Sequence, residues 1–150
     1  ATDGVVVEGF DNTPIKFAKC CSPLPGDPIV GFITRGFGVS IHKQSCVNAI
    51  SSMKDPTNAP RWVKAYWADS VKDSYKAGIE IIALNRNELL QDVLAALADI
   101  RVPIYAVNAR QVENNCAVVS LTIGINNTEH LNRVVARLSK VKDVLKVTRS

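Results

Sequence analysis

The chain has 150 residues, of which 47% are hydrophobic and 21% charged, and its net charge at neutral pH is +4. These proportions match soluble globular proteins, so they exclude wholesale disorder and allow one ordinary domain or two small ones. No apolar run approaches the roughly 20 residues that cross a bilayer, so no membrane helix is expected. Residues 1–4 show neither a signal peptide nor an initiator methionine, and we expect a piece of a longer protein.

The first 60 residues predict a small α+β domain. Residues 45–53 predict a helix with Ser45 or Gln44 near its N-cap. Short apolar runs between segments rich in proline and glycine predict strands at residues 5–7, 15–17, 29–34 and 38–42, the last two forming a hairpin that turns at 35–38. A core of this size is marginal, so the domain must pack on a neighbour or be held by a staple.

A loop at residues 55–60 separates this part from an aromatic strand at residues 61–68, because two prolines with Asn and Asp interrupt the pattern. We interpret the aromatic residues of that strand, Trp62, Tyr66 and Trp67, as core between two domains rather than as a base-stacking platform. The polar segment 69–73 predicts the boundary between a domain of residues 1–68 and a domain of residues 69–150.

The second domain has the clearest periodicity. Alternating and helical apolar patterns predict strands and helices in the order β-α-β-β-α-β over about 75 residues, a ferredoxin-like arrangement. The strands are expected at residues 75–84, 104–112, 117–125 and 144–149. Asn85–Asn87 and residues 126–128 supply the expected N-caps of the two helices. The fold class is therefore α+β, a small Cys/His domain followed by a βαββαβ domain.

Three cysteines and one histidine in the first domain form the most chemically informative pattern. Cys20 and Cys21 precede His42 and Cys46, which follow the spacing His-x3-Cys. These side chains can form a structural Cys3His zinc site, which would also stabilise a small core. The spacing leaves two alternatives open, namely small buried thiols with a surface or RNA-facing histidine, and a catalytic Cys–His pair.

One long segment carries a resemblance to a known family. Residues 19–46 contain the patterns CC-x-P-x-PGD and TRG-x-GVS-x-H-x3-C. This segment closely resembles the conserved-cysteine domain of long RelA/SpoT proteins, the (p)ppGpp synthetase/hydrolases of the bacterial stringent response. The βαββαβ domain resembles the ACT domain that follows in that family, so the resemblance covers nearly the whole chain. The family's catalytic domains would lie upstream.

The resemblance implies a non-catalytic regulatory fragment of a cytoplasmic enzyme. It implies that Cys20, Cys21, His42 and Cys46 bind zinc, although some members are treated as metal-free. It also implies docking at the ribosomal A-site, against ribosomal RNA with uncharged tRNA nearby, and control of the upstream catalytic domains. The residues that we expect to contact RNA are Arg35, Phe37, His42 and Lys43, since cations bind phosphates and aromatic rings stack on bases.

For the ACT domain the resemblance implies an effector site for a branched-chain amino acid. We expect the ligand at the turn before the first helix, formed by Asn85, Arg86, Asn87, Glu88 and Leu89, because helix N-termini bind carboxylates. The family pattern has Asp at the position of Asn85 and Gly at that of Glu88. The Glu88 carboxylate would repel a ligand carboxylate. Self-association as a homodimer is a third expected role, alongside ribosome docking and amino-acid sensing.

Overall fold

A computed structural model of the chain describes residues 3–68 and 74–150, and it divides the chain into two compact units, Ala1–Asp73 and Ser74–Ser150. The predicted boundary between residues 68 and 69 borders the segment 69–73, which lies outside the described residues. No helix among the described residues is long and apolar enough to cross a membrane.

The first unit is a mixed sheet with one helix against it. Its elements are β1 (Val5–Val7), β2 (Ile15–Phe17), β3 (Ile29–Ile33), β4 (Val39–Lys43), α1 (Val47–Lys54), a 3-10 turn (Ala59–Arg61) and β5 (Trp62–Trp67). The sheet order is β1-β5-β3-β4-β2, in which β2 runs parallel to β4 and the other pairs are antiparallel. The four predicted strands and the hairpin before residue 45 are therefore present.

Side chains on the two faces of this sheet form two separate cores. The first core is aliphatic and contains Val5, Val7, Ile15, Ile29, Val39, Ile41 and Ala65. Trp67 packs against it, stacks on Phe17 and donates from Nε1 to the Asp27 carbonyl. The second core is small and contains Ala18, Cys21, Cys46 and Ala49, with Trp62 packed beside them. Each tryptophan thus packs on a core of the first unit.

The start of α1 differs from the prediction. Cys46 is the N-cap residue, rather than Gln44 or Ser45, and the helix begins at Val47. Gln44 belongs instead to the turn after β4: its backbone N–H donates to the Pro28 carbonyl, and its side chain donates to the Ile29 carbonyl. These long-range bonds hold the turn and place Cys46 at the first position where the helix can begin.

The second unit has the predicted order of elements. They are β6 (Tyr75–Leu84), α2 (Leu89–Asp99), β7 (Ile104–Val112), β8 (Cys116–Ile125), α3 (Thr128–Leu138) and β9 (Val144–Arg149). The strands form an antiparallel sheet of order β7-β8-β6-β9, which is the ferredoxin-like arrangement. Fully buried Ile79 and Ile81 of β6 belong to the core of this unit, as do Val93, Leu97 and Leu138 of the helices.

The two helices of this unit begin in different ways. Asn127 caps α3 as predicted, because its side chain accepts a hydrogen bond of 2.8 Å from the His130 backbone N–H. The predicted caps at Asn85–Asn87 are wrong for α2. Its N-cap is Glu88, whose backbone is left-handed with φ of 66° and whose side chain makes no capping bond. The turn into α2 requires that left-handed residue, which places Asn85–Asn87 too early to cap the helix.

Candidate metal centre

The four predicted metal ligands come from three neighbouring elements of the first unit. Cys20 and Cys21 lie in a turn after β2, closed by a bond of 2.9 Å from the Ser22 N–H to the Ala18 carbonyl. His42 lies near the end of β4, and Cys46 stands at the start of α1. Because the turn of Gln44 joins β4 to α1 tightly, the imidazole and the Cys46 thiol are brought to the same place.

The donor atoms converge. All four lie within 4.8 Å of one another. Cys20 Sγ is 3.5 Å from His42 Nδ1, 3.5 Å from Cys46 Sγ and 4.0 Å from Cys21 Sγ, while Cys21 Sγ is 3.9 Å from His42 Nδ1. The structure therefore brings the four predicted ligands together, although Cys20 and Cys21 are neighbours in sequence.

These separations can be compared with those around a tetrahedral ion. Bonds of about 2.3 Å to sulfur and about 2.0–2.1 Å to nitrogen place sulfur pairs about 3.8 Å apart and sulfur–nitrogen pairs about 3.6 Å apart. The four distances given above scatter closely around these values. Three thiols and one imidazole are also a soft donor set that suits zinc-like ions. The cluster can hold a metal ion.

Other groups orient the ligands. The Lys43 backbone N–H donates to Cys21 Sγ at 3.3 Å, and Ser40 Oγ lies 3.5 Å from His42 Nε2. The Trp62 ring meets the His42 ring edge-on at 5.3 Å, and its Nε1 donates to Ser52 Oγ of α1. Partners of this kind keep a metal-binding imidazole in one orientation. Sequence reasoning missed Ser40 and Trp62, whose cross-strand positions depend on the register of β3, β4 and β5.

The protonation states of the cluster follow from burial and hydrogen bonding. Burial raises the pKa of the Cys21 thiol to about 12, against the opposing Lys43 N–H. Burial by itself would raise the pKa of the Cys46 thiol. Hydrogen bonds with the Ala49 and Asn48 N–H groups and with the neighbouring cysteines outweigh burial, so the pKa of Cys46 is lower than usual. Burial also lowers the pKa of His42, which favours the neutral imidazole that binds metals.

The residues expected to contact RNA do not lie at one place. Arg35 and exposed Phe37 occupy the tip between β3 and β4, where Thr34 Oγ1 donates to the Gly38 carbonyl at 2.8 Å and Gly38 has φ of 145°. Lys43 lies at the far end of β4, about 13 Å from its first residue at about 3.3 Å per residue. His42 is there too, and its ring faces the thiols.

Two further cations near the hairpin were missed by sequence reasoning. Lys16 Nζ lies 5.0 Å from the centre of the Phe37 ring. The Arg61 guanidinium lies 4.4 Å from the centre of the Phe32 ring and donates to the Ile33 carbonyl at 2.9 Å. Their positions result from the pairing of β2 with β4 and of β5 with β3, so the linear sequence contains no local signal for them. Three cations, Arg35 of the hairpin with Lys16 and Arg61 of neighbouring elements, thus lie near the exposed Phe37 ring or beside the hairpin strands.

The predicted effector turn of the second unit lines a cleft of about 390 Å³. All five predicted residues, Asn85, Arg86, Asn87, Glu88 and Leu89, line it, and Ala109, Arg110 and Gln111 of β7 line another part. Arg86 is engaged by its own unit. It lies 2.8 Å from the Asp92 carboxylate and 2.9 Å from the Asp143 carboxylate, and it donates to the Lys142 carbonyl. The three residues of β7 were missed because the sequence does not show which strand faces the turn.

The fold and the cluster place the chain in one class of protein, in which a Cys3His module is followed by a ferredoxin-like domain. Comparison with known families identifies both parts. Residues 5–68 match the RelA/SpoT RIS domain, and residues 72–149 match the ACT domain. The chain belongs to the RelA/SpoT family and is a C-terminal regulatory region of it.

Relatives in several bacteria match nearly the whole chain. It is 36% identical over 149 residues to a GTP pyrophosphokinase of Streptomyces coelicolor, covering 99% of this chain and 17% of that protein. It is 37% identical over 146 residues to the bifunctional (p)ppGpp synthase/hydrolase RelA of Mycobacterium tuberculosis, covering 97% and 19% respectively. The chain therefore spans less than a fifth of the length of these relatives.

A solved structure also aligns with part of the chain. The crystal structure of the ACT domain from the GTP pyrophosphokinase of Chlorobium tepidum is 22% identical, with a TM-score of 0.46, and covers 51% of this chain and 99% of that one.

Proposed function

We propose that this region docks a (p)ppGpp synthetase/hydrolase of the stringent response on ribosomal RNA and tunes the catalytic domains upstream of it. The relatives named above are GTP pyrophosphokinases and a bifunctional synthase/hydrolase, which supports that parent enzyme. Such an enzyme acts in the cytoplasm, where ribosomes and nucleotides are available. The region itself supplies binding, and no catalytic residue is assigned to it. The observation that carries the docking proposal is the cationic and aromatic tip of the β3–β4 hairpin.

The role of the cluster in this proposal is structural. A zinc ion held by Cys20, Cys21, His42 and Cys46 would join the turn after β2, the end of β4 and the start of α1. The fully buried residues of the core on that face are two alanines and two of these cysteines, and the larger side chains beside them, Val30, Met53 and Trp62, are only partly buried, so apolar burial there is small. Zinc would therefore supply the free energy that this face lacks, and it would keep the strands that display the hairpin in place.

The hairpin tip offers both kinds of contact that RNA recognition uses. Phe37 is 46% exposed, and one side of its ring is occupied by Lys16. The ring can stack on an unpaired base, and Arg35 and Lys16 can bind the adjacent phosphates. Lys43 would contribute a separate phosphate contact at the other end of β4. His42 is assigned to the metal centre, because its Nδ1 faces two thiols.

Binding to bacterial ribosomes over a range of salt concentrations tests this function. Arg35→Ala should weaken binding and reduce the slope of log affinity against log salt by about one unit. Phe37→Ala should weaken binding by about 1–3 kcal/mol with the slope unchanged, because stacking involves no counterion release. Arg133→Ala, which removes an exposed arginine from α3, is the matched control and should change neither quantity. Equal losses from Arg35→Ala and Arg133→Ala, with no loss from Phe37→Ala, would show that only net charge matters and would overturn the assigned surface.

Uncharged tRNA is proposed as a second component of the docked state. The test adds uncharged or aminoacylated tRNA to ribosomes before the chain is titrated. Uncharged tRNA should strengthen binding of the wild type. Equal affinity with both forms of tRNA would remove tRNA from the proposal and leave the ribosomal RNA contact in place.

The cleft of the second unit favours amino-acid sensing as a second candidate function. Backbone N–H groups at the start of α2 can bind a ligand carboxylate, while Ala109, Ala117 and Val119 can contact an aliphatic side chain. The Glu88 carboxylate opposes this binding. Calorimetry with valine should therefore give greater heats for Glu88→Gly than for the wild type. Flat heats for both folded proteins at millimolar valine would remove this candidate.

Homodimer formation is a third candidate, supported by β7. This strand is at the edge of its sheet, and all but its last residue are exposed, including Ile104, Tyr105 and Val107. An exposed edge of this length can pair with the same strand of a second copy. Sedimentation should show a dimer for the wild type and a monomer for Val107→Lys. A monomeric wild type at high concentration would remove this candidate.

A further inference from the structure

The three cysteines of the metal centre differ in their access to solvent. Cys20 is exposed, whereas Cys21 and Cys46 are buried. Cys21 is also held by the Lys43 backbone N–H, which donates to its sulfur. A solvent-borne electrophile therefore reaches Cys20 Sγ first. Exposure of a single thiol has no consequence by itself, but here a second thiol lies beside it.

The geometry also selects the partner of Cys20. Its sulfur is 3.5 Å from Cys46 Sγ and 4.0 Å from Cys21 Sγ. Neighbouring residues have Cα atoms about 3.8 Å apart, below the roughly 4.4–6.8 Å span of unstrained disulfides. A bond between Cys20 and Cys21 would therefore be strained. Cys46 is 26 residues away in sequence and has no such restriction.

We propose that Cys20 and Cys46 are a site of oxidative modification, at which hydrogen peroxide forms a disulfide and releases the metal. The Cys20 thiolate attacks one peroxide oxygen, the O–O bond breaks, and Cys20 becomes a sulfenic acid as hydroxide leaves. The Cys46 thiolate then attacks the sulfenic sulfur, the S–S bond forms, the S–O bond breaks, and a second hydroxide leaves. The two thiolates lose one electron each, and the hydroxides take two protons from solvent to give water.

The disulfide removes two of the four donors, so the remaining Cys21 and His42 bind metal weakly. Oxidation would then loosen the turn after β2 and the start of α1 from β4. This consequence for the metal rests on the proposed zinc site. The disulfide itself depends only on the exposure of Cys20 and on the two sulfur–sulfur distances, so it is expected in the metal-free chain as well.

The test treats the whole 150-residue chain, loaded with zinc or metal-free, with hydrogen peroxide. A coloured chelator follows zinc release, and mass spectrometry of the unreduced tryptic digest identifies the disulfide. Cys20 and Cys21 share the peptide of residues 20–35, Cys46 lies in residues 44–54, and fragmentation between the two adjacent cysteines distinguishes them. Alkylation without peroxide should modify Cys20 about tenfold faster than Cys46. Cys116→Ser is the matched control and should behave like the wild type.

A Cys20–Cys46 linkage in both preparations, with zinc release that a dithiol reverses, supports the proposal. If the chain fails to bind zinc but forms this linkage, the metal centre fails and the modification site stands. A dominant Cys20–Cys21 bond would overturn it. So would oxidation of both thiols to sulfinic acids without a crosslink, or equal alkylation of the three clustered cysteines.

Discussion

The two units of the chain reach stability in different ways. The second unit has strands of up to ten residues and a core of aliphatic side chains from one sheet and two helices. The first unit has strands of three to six residues, and its sheet separates a small aliphatic core from one whose buried residues are two alanines and two cysteines, with partly buried side chains beside them. Apolar burial is thus greater in the second unit, whereas in the first unit two of the cysteines that can hold a metal ion form part of a small core.

Because of this difference, we expect the same change in conditions to affect the stability of the two units unequally. A small α+β module with short strands needs a staple, and a metal ion held by the four converging donors would supply one. A unit with long antiparallel ladders needs none. If metal removal leaves the stability of the first unit unchanged, this difference between the units does not exist. Variants that affect only one core measure how large the difference is.

The largest expected effect is that of Cys46→Ser. The variant should lose about one bound zinc per chain, and the free energy of unfolding of the first unit should fall by at least about 3 kcal/mol. Both tryptophans of the chain, Trp62 and Trp67, lie in this unit, so tryptophan fluorescence reports its unfolding. Cys116→Ser, on β8, should retain the metal. Identical denaturation curves for wild type and Cys46→Ser, with and without a chelator, would contradict the contrast.

A core substitution in the second unit should act without the metal. Leu97 is fully buried on α2, and Leu97→Ala should reduce the free energy of unfolding by about 2–5 kcal/mol because it leaves a cavity. Zinc stoichiometry should stay unchanged, since all four ligands belong to residues 20–46. Denaturation followed by circular dichroism and elemental analysis measure the two quantities. A loss of zinc in this variant would show that the two units are not stabilised separately.

A smaller effect is expected for Arg86→Ala. The arginine lies in the turn before α2. It pairs with Asp92 of α2 and with Asp143 of the loop before β9. Because these pairs are partly exposed, their loss should cost only about 1–2 kcal/mol. Arg137→Ala, whose pair with Asp99 is longer and more exposed, serves as the control and should have almost no effect. Equal losses in the two variants would refute a structural role of the Arg86 ion pairs at this turn.

The smallest expected effect concerns pH. His130 Nδ1 accepts a hydrogen bond from the Asn126 N–H at 2.9 Å, at the start of α3. Burial and the charge of Arg133 lower the pKa of His130, so below its unfolded pKa of about 6.5 the unfolded chain binds the proton more readily. Stability should therefore fall as the pH falls from 7 through this window, by less than about 1 kcal/mol because the ring is partly exposed.

The difference between wild type and His130→Asn isolates this titration from that of His42. The variant keeps an acceptor but has no group that titrates in this range. Its unfolding midpoint between about pH 5 and 7 should be the flatter of the two. Parallel pH profiles would show that burial and the charge of Arg133 do not lower the pKa of His130.

Much of the fold was predictable, and the two units show why. In the second unit the alternation of apolar residues over 75–84 and the helical stripe that begins at Leu89 are local patterns. The strands and helices of this unit could therefore be predicted from the sequence. In the first unit the N-cap of the helix was predicted at Gln44 or Ser45 and is Cys46. Long-range hydrogen bonds of Gln44 decide that start, and no local pattern contains them.

The sequence by itself determined the order of elements in the second unit and, through the family resemblance, the four candidate ligands. Only the tertiary structure showed that adjacent Cys20 and Cys21 converge on one point, and that Trp62 packs against His42. It also separated Arg35 and Phe37 from Lys43 and brought Lys16 to the hairpin tip. The physical reason is that local periodicity depends on neighbouring residues, whereas convergence of side chains depends on strand register and turn geometry.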